Sequence, residues 1–155
     1  MVTLYNVTSS DGYIARIDGS EDFIPDDVWP HFLELCQEYG SIIMGRKTYE
    51  ALQAYSPELL APFEALDISK IVVTTNSEFK AKSGYTTVNS PEAAITLVPN
   101  GLVSSGPALN DYLLRKNLVT KILLHEVPIA ISEGIKPFDR TIDQLPPIEK
   151  SLHST

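Results

Sequence analysis

The side chains able to do chemistry in this chain sit in short turns rather than in one obvious catalytic cluster. The clearest is "MGRKTYE", where Gly45, Arg46, Lys47 and Thr48 stand between the apolar run "SIIM" and a helical stretch. Free amides at a helix start, a hydroxyl and two cations suit a phosphate or pyrophosphate. Two cations there oppose the helix dipole unless an anion docks. The same residues also read as a surface turn with solvated charges, and residue chemistry alone does not separate the two. Two further turns carry related groups. "SSGPAL" places Ser105, Gly106 and Pro107 at a strand end with a helix to follow, and "VVTTN" places Thr74 and Thr75 at another. Each is either an anion-facing turn or a plain one.

The acidic candidates are Asp11, Asp22, Asp26 and Asp27. Asp26 or Asp27 reads as the N-cap of the next helix, or as a carboxylate that orients or protonates a heterocycle across a crevice. His31, His125 and His153 have no metal-ligand spacing. The single Cys36 excludes an internal disulfide and a cysteine-based zinc site. Neither the GxGxxG fingerprint nor the GxxxxGK[ST] loop occurs, so any nucleotide site is built differently.

These turns must be positioned by the elements around them. Val2 to Val7, Ser41 to Met44, Lys70 to Thr75, "YTTV", "GLVSS" and Lys121 to Val127 read as strands. Helices are expected from Asp26 or Asp27 to Tyr39, from Lys47 to Tyr55, after Ser56-Pro57, after Ser90-Pro91 and from Pro107 to Arg115. Strands alternating with helices predict an α/β fold with a mainly parallel sheet, and "IIM", "KIVV" and "KILL" suit strands covered on both faces. Ligands in such sheets bind at the carboxyl ends of strands, where the three turns would gather. The last segment, rich in Pro and turn residues, is expected to be irregular or antiparallel.

A chain of 155 residues fits one domain, 1–155, and its 43% hydrophobic and 21% charged composition is ordinary for a globular protein. A net charge of -8 argues against nucleic acid or an anionic membrane as partner. The opening "MVTLYNV" lacks a signal-peptide pattern and no apolar run has spanning length, so a cytoplasmic location is expected.

Taken in order, "SSDGYIA", "MGRKTYE", "VVTTN", "SSGPALNDYLL" and "LVTKILLHEVPIAISEGIKPF" resemble the dihydrofolate reductase-like superfamily. The resemblance is strongest to the reductase domain of the riboflavin-biosynthesis deaminase-reductase and its stand-alone relatives, and it covers roughly residues 2 to 138. It implies a three-layer fold with a mainly parallel central sheet, helices on both faces and an antiparallel C-terminal edge. It also implies an NADPH-dependent reductase that passes hydride to a small heterocycle. The pyrophosphate would meet the amides of Gly45 to Thr48, with Arg46 and Lys47 near the 2′-phosphate and Thr74 and Thr75 on the adenosine side. Ser105, Gly106 and Pro107 would form the turn beneath the pyrophosphate, with a cis Ser105–Gly106 peptide. Asp27, or failing it Asp11, would serve the substrate. A homodimer is the assembly to be tested.

The chain departs from the riboflavin-type pattern at four places. Tyr5 stands where a Lys is usual, Ser104 for a Glu, and Ser105 and Ser132 for glycines. The first two point away from the ribosylaminopyrimidine substrate. The readings carried forward are a pterin- or pyrimidine-like reductase, the 5-amino-6-(5-phosphoribosylamino)uracil reductase of riboflavin biosynthesis, and a catalytically inactive nucleotide-binding or oligomerisation domain.

Overall fold

The structure, a computed structural model, describes residues 1–154. In chain order the elements are β1 (Val2–Thr8), α1 (Val28–Tyr39), β2 (Ser41–Gly45), α2 (Arg46–Gln53), α3 (Pro57–Glu64), β3 (Ser69–Val73), β4 (Thr86–Val88), α4 (Pro91–Leu97), β5 (Leu102–Val103), α5 (Pro107–Arg115), β6 (Val119–Glu126) and β7 (Ile148–Leu152). The strands form one sheet in the order β4-β3-β2-β5-β1-β6-β7.

Local chemistry sets most boundaries. Gly40 ends α1 in the left-handed region, φ 71°, and its N–H donates to the carbonyls of Cys36 and Gln37. A side chain with a Cβ resists that conformation, so glycine is the natural stop. The Ser90 hydroxyl accepts from Ala93 N–H at 3.1 Å and starts α4. Pro57, Pro91 and Pro107 each occupy a first helical position, where no amide is wasted.

Alternating strand residues feed two cores, one on each face. Val2, Leu4, Ile43, Ile71, Val103 and Ile122 pack beneath α4 and α5. Tyr5, Ile42, Met44, Val72 and Leu102 pack against Phe32 and Cys36 of α1, Tyr49 and Leu52 of α2, and Leu60 and Phe63 of α3. Each such fully buried side chain contributes roughly 1.5–3 kcal/mol. The three layers expected from the strand–helix alternation are therefore present.

The C-terminal edge differs from expectation. β7 runs parallel to β6, with Ile122 opposite Ile148 and Glu126 opposite Leu152, rather than antiparallel. The segment after β6 explains the direction. Phe138, 2% exposed, seats in the core beside Leu113 and Leu114 of α5. Asp139 is held there by Arg115 and by the carboxylate of Asp111, which accepts its N–H. That anchor carries the chain back along the sheet, and Ile122 N–H then donates to Pro147 O where β7 begins. Antiparallel pairing is limited to a bridge between Ala15 and Ile135. No described helix is long and apolar enough to cross a membrane.

Candidate functional site

Two helix starts meet at the carboxyl ends of β2 and β5. Gly45 is the extended N-cap residue of α2, and Gly106 holds the same position on α5. Neither helix has a side-chain cap or an acidic residue in its first turn. The amides at both starts are thus left to an external acceptor. Ser105 joins the two turns. Its Oγ accepts from Gly45 N–H at 3.0 Å and lies 3.4 Å from Thr48 Oγ1. A Cβ added at Gly45 would meet that Oγ at 3.3 Å, whereas one at Gly106 would meet nothing within 4 Å. The space in front of Gly106 is open, and the space in front of Gly45 is partly taken by the serine.

The expected cis peptide is absent: among the described residues every bond is trans, Ser105–Gly106 included. The reason lies behind the turn. Asn6 of β1 donates through Nδ2 to Ser105 O at 2.9 Å. Asn110 of α5, fully buried, donates through Nδ2 to Asn6 Oδ1 at 3.0 Å and to Pro137 O at 2.9 Å. The two amides hold the serine carbonyl toward the sheet. Sequence reasoning missed both asparagines, although a polar Asn6 within the otherwise strand-like "TLYNV" was the available signal.

The remaining cofactor candidates sit around this junction. Gly45 pairs with Val73, so Thr74 and Thr75 leave β3 beside the start of α2. Thr74 Oγ1 accepts from Asn76 N–H at 3.1 Å and shapes that turn, while Thr75 is exposed. Arg46 lies 3.7 Å from Glu50 in an exposed pair one turn along the helix, and Lys47 is exposed. A weak surface pair of this kind yields readily to a phosphate. Pro107 follows Gly106 as the first residue of α5.

The two acids have different fates. Asp11 fastens a loop: it accepts from Ser9 Oγ at 2.7 Å, Ile131 N–H at 3.2 Å and Ser132 N–H at 2.8 Å. The Ser9 hydrogen bond above all, with the two amides, holds its carboxyl below the usual range. Ser132, at φ 72°, adopts there the backbone that glycine favours. Asp27 occupies the N-cap position of α1 but makes no capping bond. Its Oδ1 instead lies 2.7 Å from His153 Nε2. Behind it, Tyr5 lies between His31 and Phe32. The Tyr5 hydroxyl is buried without a partner. Burial, reinforced by Cys36, pushes its pKa well up, and burial pushes the Cys36 thiol up to about 12. Neither ionises at neutral pH. The histidines, read from spacing as unconnected, in fact lie together at this end of β6.

No protein-family model matches the chain. The "Uncharacterized protein YwjB" of Bacillus subtilis (strain 168) is 24% identical over 144 residues, which cover 87% of this chain and 80% of that protein. Among solved structures, a "Putative riboflavin biosynthesis protein" from Shewanella sp. PV-4 superposes with a TM-score of 0.68 at 19% identity, covering 90% of this chain and 83% of the other. Dihydrofolate reductase from Enterococcus faecalis, solved with NADP(H) and RAB-propyl, gives 0.68 at 17% identity, with coverages of 92% and 79%. A diaminohydroxyphosphoribosylaminopyrimidine deaminase/5-amino-6-(5-phosphoribosylamino)uracil reductase from Thermotoga maritima gives 0.63 at 14% identity. It matches 88% of this chain, which spans 47% of that longer protein. With a parallel sheet, helices on both faces and these neighbours, the chain has the dihydrofolate reductase-like fold.

Proposed function

We propose that this protein is an NADPH-dependent reductase of a small heterocycle of the pterin or pyrimidine kind. The observation that carries the reading is the pair of uncapped helix starts, α2 and α5, meeting at Ser105 with Arg46 and Lys47 on the rim. Their amides and two cations fit a pyrophosphate and a further phosphate. The open space in front of Gly106 is where backbone can approach it. Bound there, NADPH supplies hydride from its nicotinamide. The chain's own part is to hold the dinucleotide by these amides and by Thr48, to read the 2′-phosphate with Arg46, and to present Asp27 as proton donor. Tyr5 and Ser104 stand against a ribosylaminopyrimidine, which leaves a smaller ring as the favoured substrate. The neighbours' names, reductases among them, support the same class.

The test is a titration of NADPH and NADH against the native protein and Arg46→Ala. A charge-assisted contact contributes roughly 1.5–3 kcal/mol, so the variant should lose about 10- to 150-fold in NADPH affinity and little in NADH affinity. Equal losses would remove Arg46 from that role. The Ser105 hydroxyl favours a second reading, a nucleotide-free domain serving assembly, because it already occupies the Gly45 amide. Absence of binding by either cofactor to the native chain would select that reading.

A further inference from the structure

All three histidines of the chain converge on one spot. His125, on β6, is 6% exposed. His31 of α1 stacks on its ring with centroids 4.5 Å apart. His125 Nδ1 is 2.9 Å from Ser151 Oγ, and Nε2 is 2.9 Å from His153 Nδ1. His153 Nε2 then reaches Asp27 Oδ1 at 2.7 Å. The parallel register that sets Ser151 opposite His125 creates this line. Among the described residues no group of three or more such side chains is arranged to hold a metal. The nitrogens of His125 and His153 are spent on one another and on the two ends.

Counting donors fixes the protons. The Asp27 carboxylate can only accept, so His153 carries its N–H on Nε2. A neutral His153 then accepts at Nδ1, which places the His125 N–H on Nε2. His125 Nδ1 is left as acceptor for the Ser151 hydroxyl. Every donor in the line points toward Asp27. Moving each proton one place gives a second complete arrangement, in which protonated Asp27 donates to His153, His153 to His125, and His125 to Ser151. Two imidazolium rings fit neither arrangement, because their facing N–H groups would collide.

We propose that Ser151, His125 and His153 form a proton relay between the exposed edge strand β7 and Asp27. In the step, water protonates Ser151 Oγ as its hydroxyl proton passes to His125 Nδ1. The Nε2 proton of His125 passes to His153 Nδ1, and the Nε2 proton of His153 passes to the Asp27 carboxylate. Each ring gains one proton and loses one. One solvent proton reaches Asp27, and nothing is oxidised or reduced. Ser151 is exposed, so the outer end meets water. His153 also lines a hollow of about 410 Å³ with Ser10, Glu126, Pro128 and Leu152, so the inner end borders open space.

The groups around the line keep charge from settling in it. His31 and Tyr5 press on the ring side, and Glu126 is paired with Lys150 at 3.2 Å. Burial first, then His31 and His153, hold His125 below the ordinary imidazole range. A proton therefore passes through His125 rather than resting on it. The use of the relay in turnover rests on the reductase reading, since hydride addition to a ring C=N bond also consumes a proton. The existence of the relay does not rest on that reading.

The experiment uses the full chain with nitrogen-15 histidine at neutral pH. Both His125 and His153 should show the Nε2–H tautomer, with a coupling through the hydrogen bond between His125 Nε2 and His153 Nδ1. In Ser151→Ala, exchange of the His153 Nε2 proton with water should slow by about a hundredfold, the lower end of what positioned proton transfer supplies, and Ser151→Thr should restore it. Absence of the coupling in the native protein, or an unchanged exchange rate in folded Ser151→Ala, would overturn the relay. NADPH titration of the same samples separates the two ideas. Failure of the native protein to bind would sink the reductase reading while leaving the coupling and exchange results intact.

Discussion

Replacing Ser105 by glycine tests how far one hydroxyl controls the cofactor turn. In the native chain its Oγ accepts the Gly45 amide at 3.0 Å, the donor that a pyrophosphate oxygen would need. An incoming phosphate must first displace that bond, whose net worth is about 0.5–1.5 kcal/mol. Removing it should tighten NADPH binding by roughly 2- to 12-fold, since 1.4 kcal/mol is tenfold in Kd. The same change weakens the free protein. Losing the bond and adding glycine's freedom cost about 1–2.5 kcal/mol together. For a chain of this size that lowers Tm by roughly 3–8 °C. The assays are fluorescence titration with NADPH and thermal unfolding with and without cofactor. Ser105→Ala separates the causes, because it removes the hydroxyl but keeps the Cβ. Equal gains in both variants would assign the block to the hydroxyl, and a gain only with glycine would assign it to the backbone. A destabilised Ser105→Gly protein that binds NADPH no better than the native chain would refute the argument that this serine closes the site.

Two further outcomes follow from the same structure. Asn110→Ala leaves the Asn6 amide and the Pro137 carbonyl short of a buried partner, and should cost about 2–3 kcal/mol in urea unfolding; a loss below about 0.5 kcal/mol would show that water takes over the network. His125 resists protonation when folded, while its unfolded imidazole takes a proton near 6.5. Its contribution is therefore fully present above about pH 6.5 and is lost as pH falls through the folded value. The urea midpoint should decline between pH 7 and 5, and should do so less in His125→Asn; parallel declines in both would refute the assignment.

The sequence by itself determined what is decided within a few residues. Gly40 stops α1 because it can turn left-handed, Ser90 caps α4 three residues on, and Pro107 opens α5 at the expected place. The apolar strand runs required a covered sheet, and the turns after them had to collect at one end. Helix α2 began one residue early, at Arg46 rather than Lys47, as is usual where an uncapped end frays. The tertiary structure alone decided the rest. β7 lies parallel because Phe138 anchors the returning chain on the α5 side, and no periodicity in 128–147 reports that. Ser105–Gly106 is trans with its carbonyl turned inward by Asn6 and Asn110, whose mutual bond spans 104 positions. Asp11, read as a substrate acid, is spent on the backbone of residues 131 and 132. Asp27 was singled out correctly as an uncommitted carboxylate of α1, yet its partner His153 lies 126 residues away. Local propensity constrains dihedral angles and faces of elements. It carries no information on which polar group completes another's hydrogen bond across the sheet, and those pairings set the chemistry here.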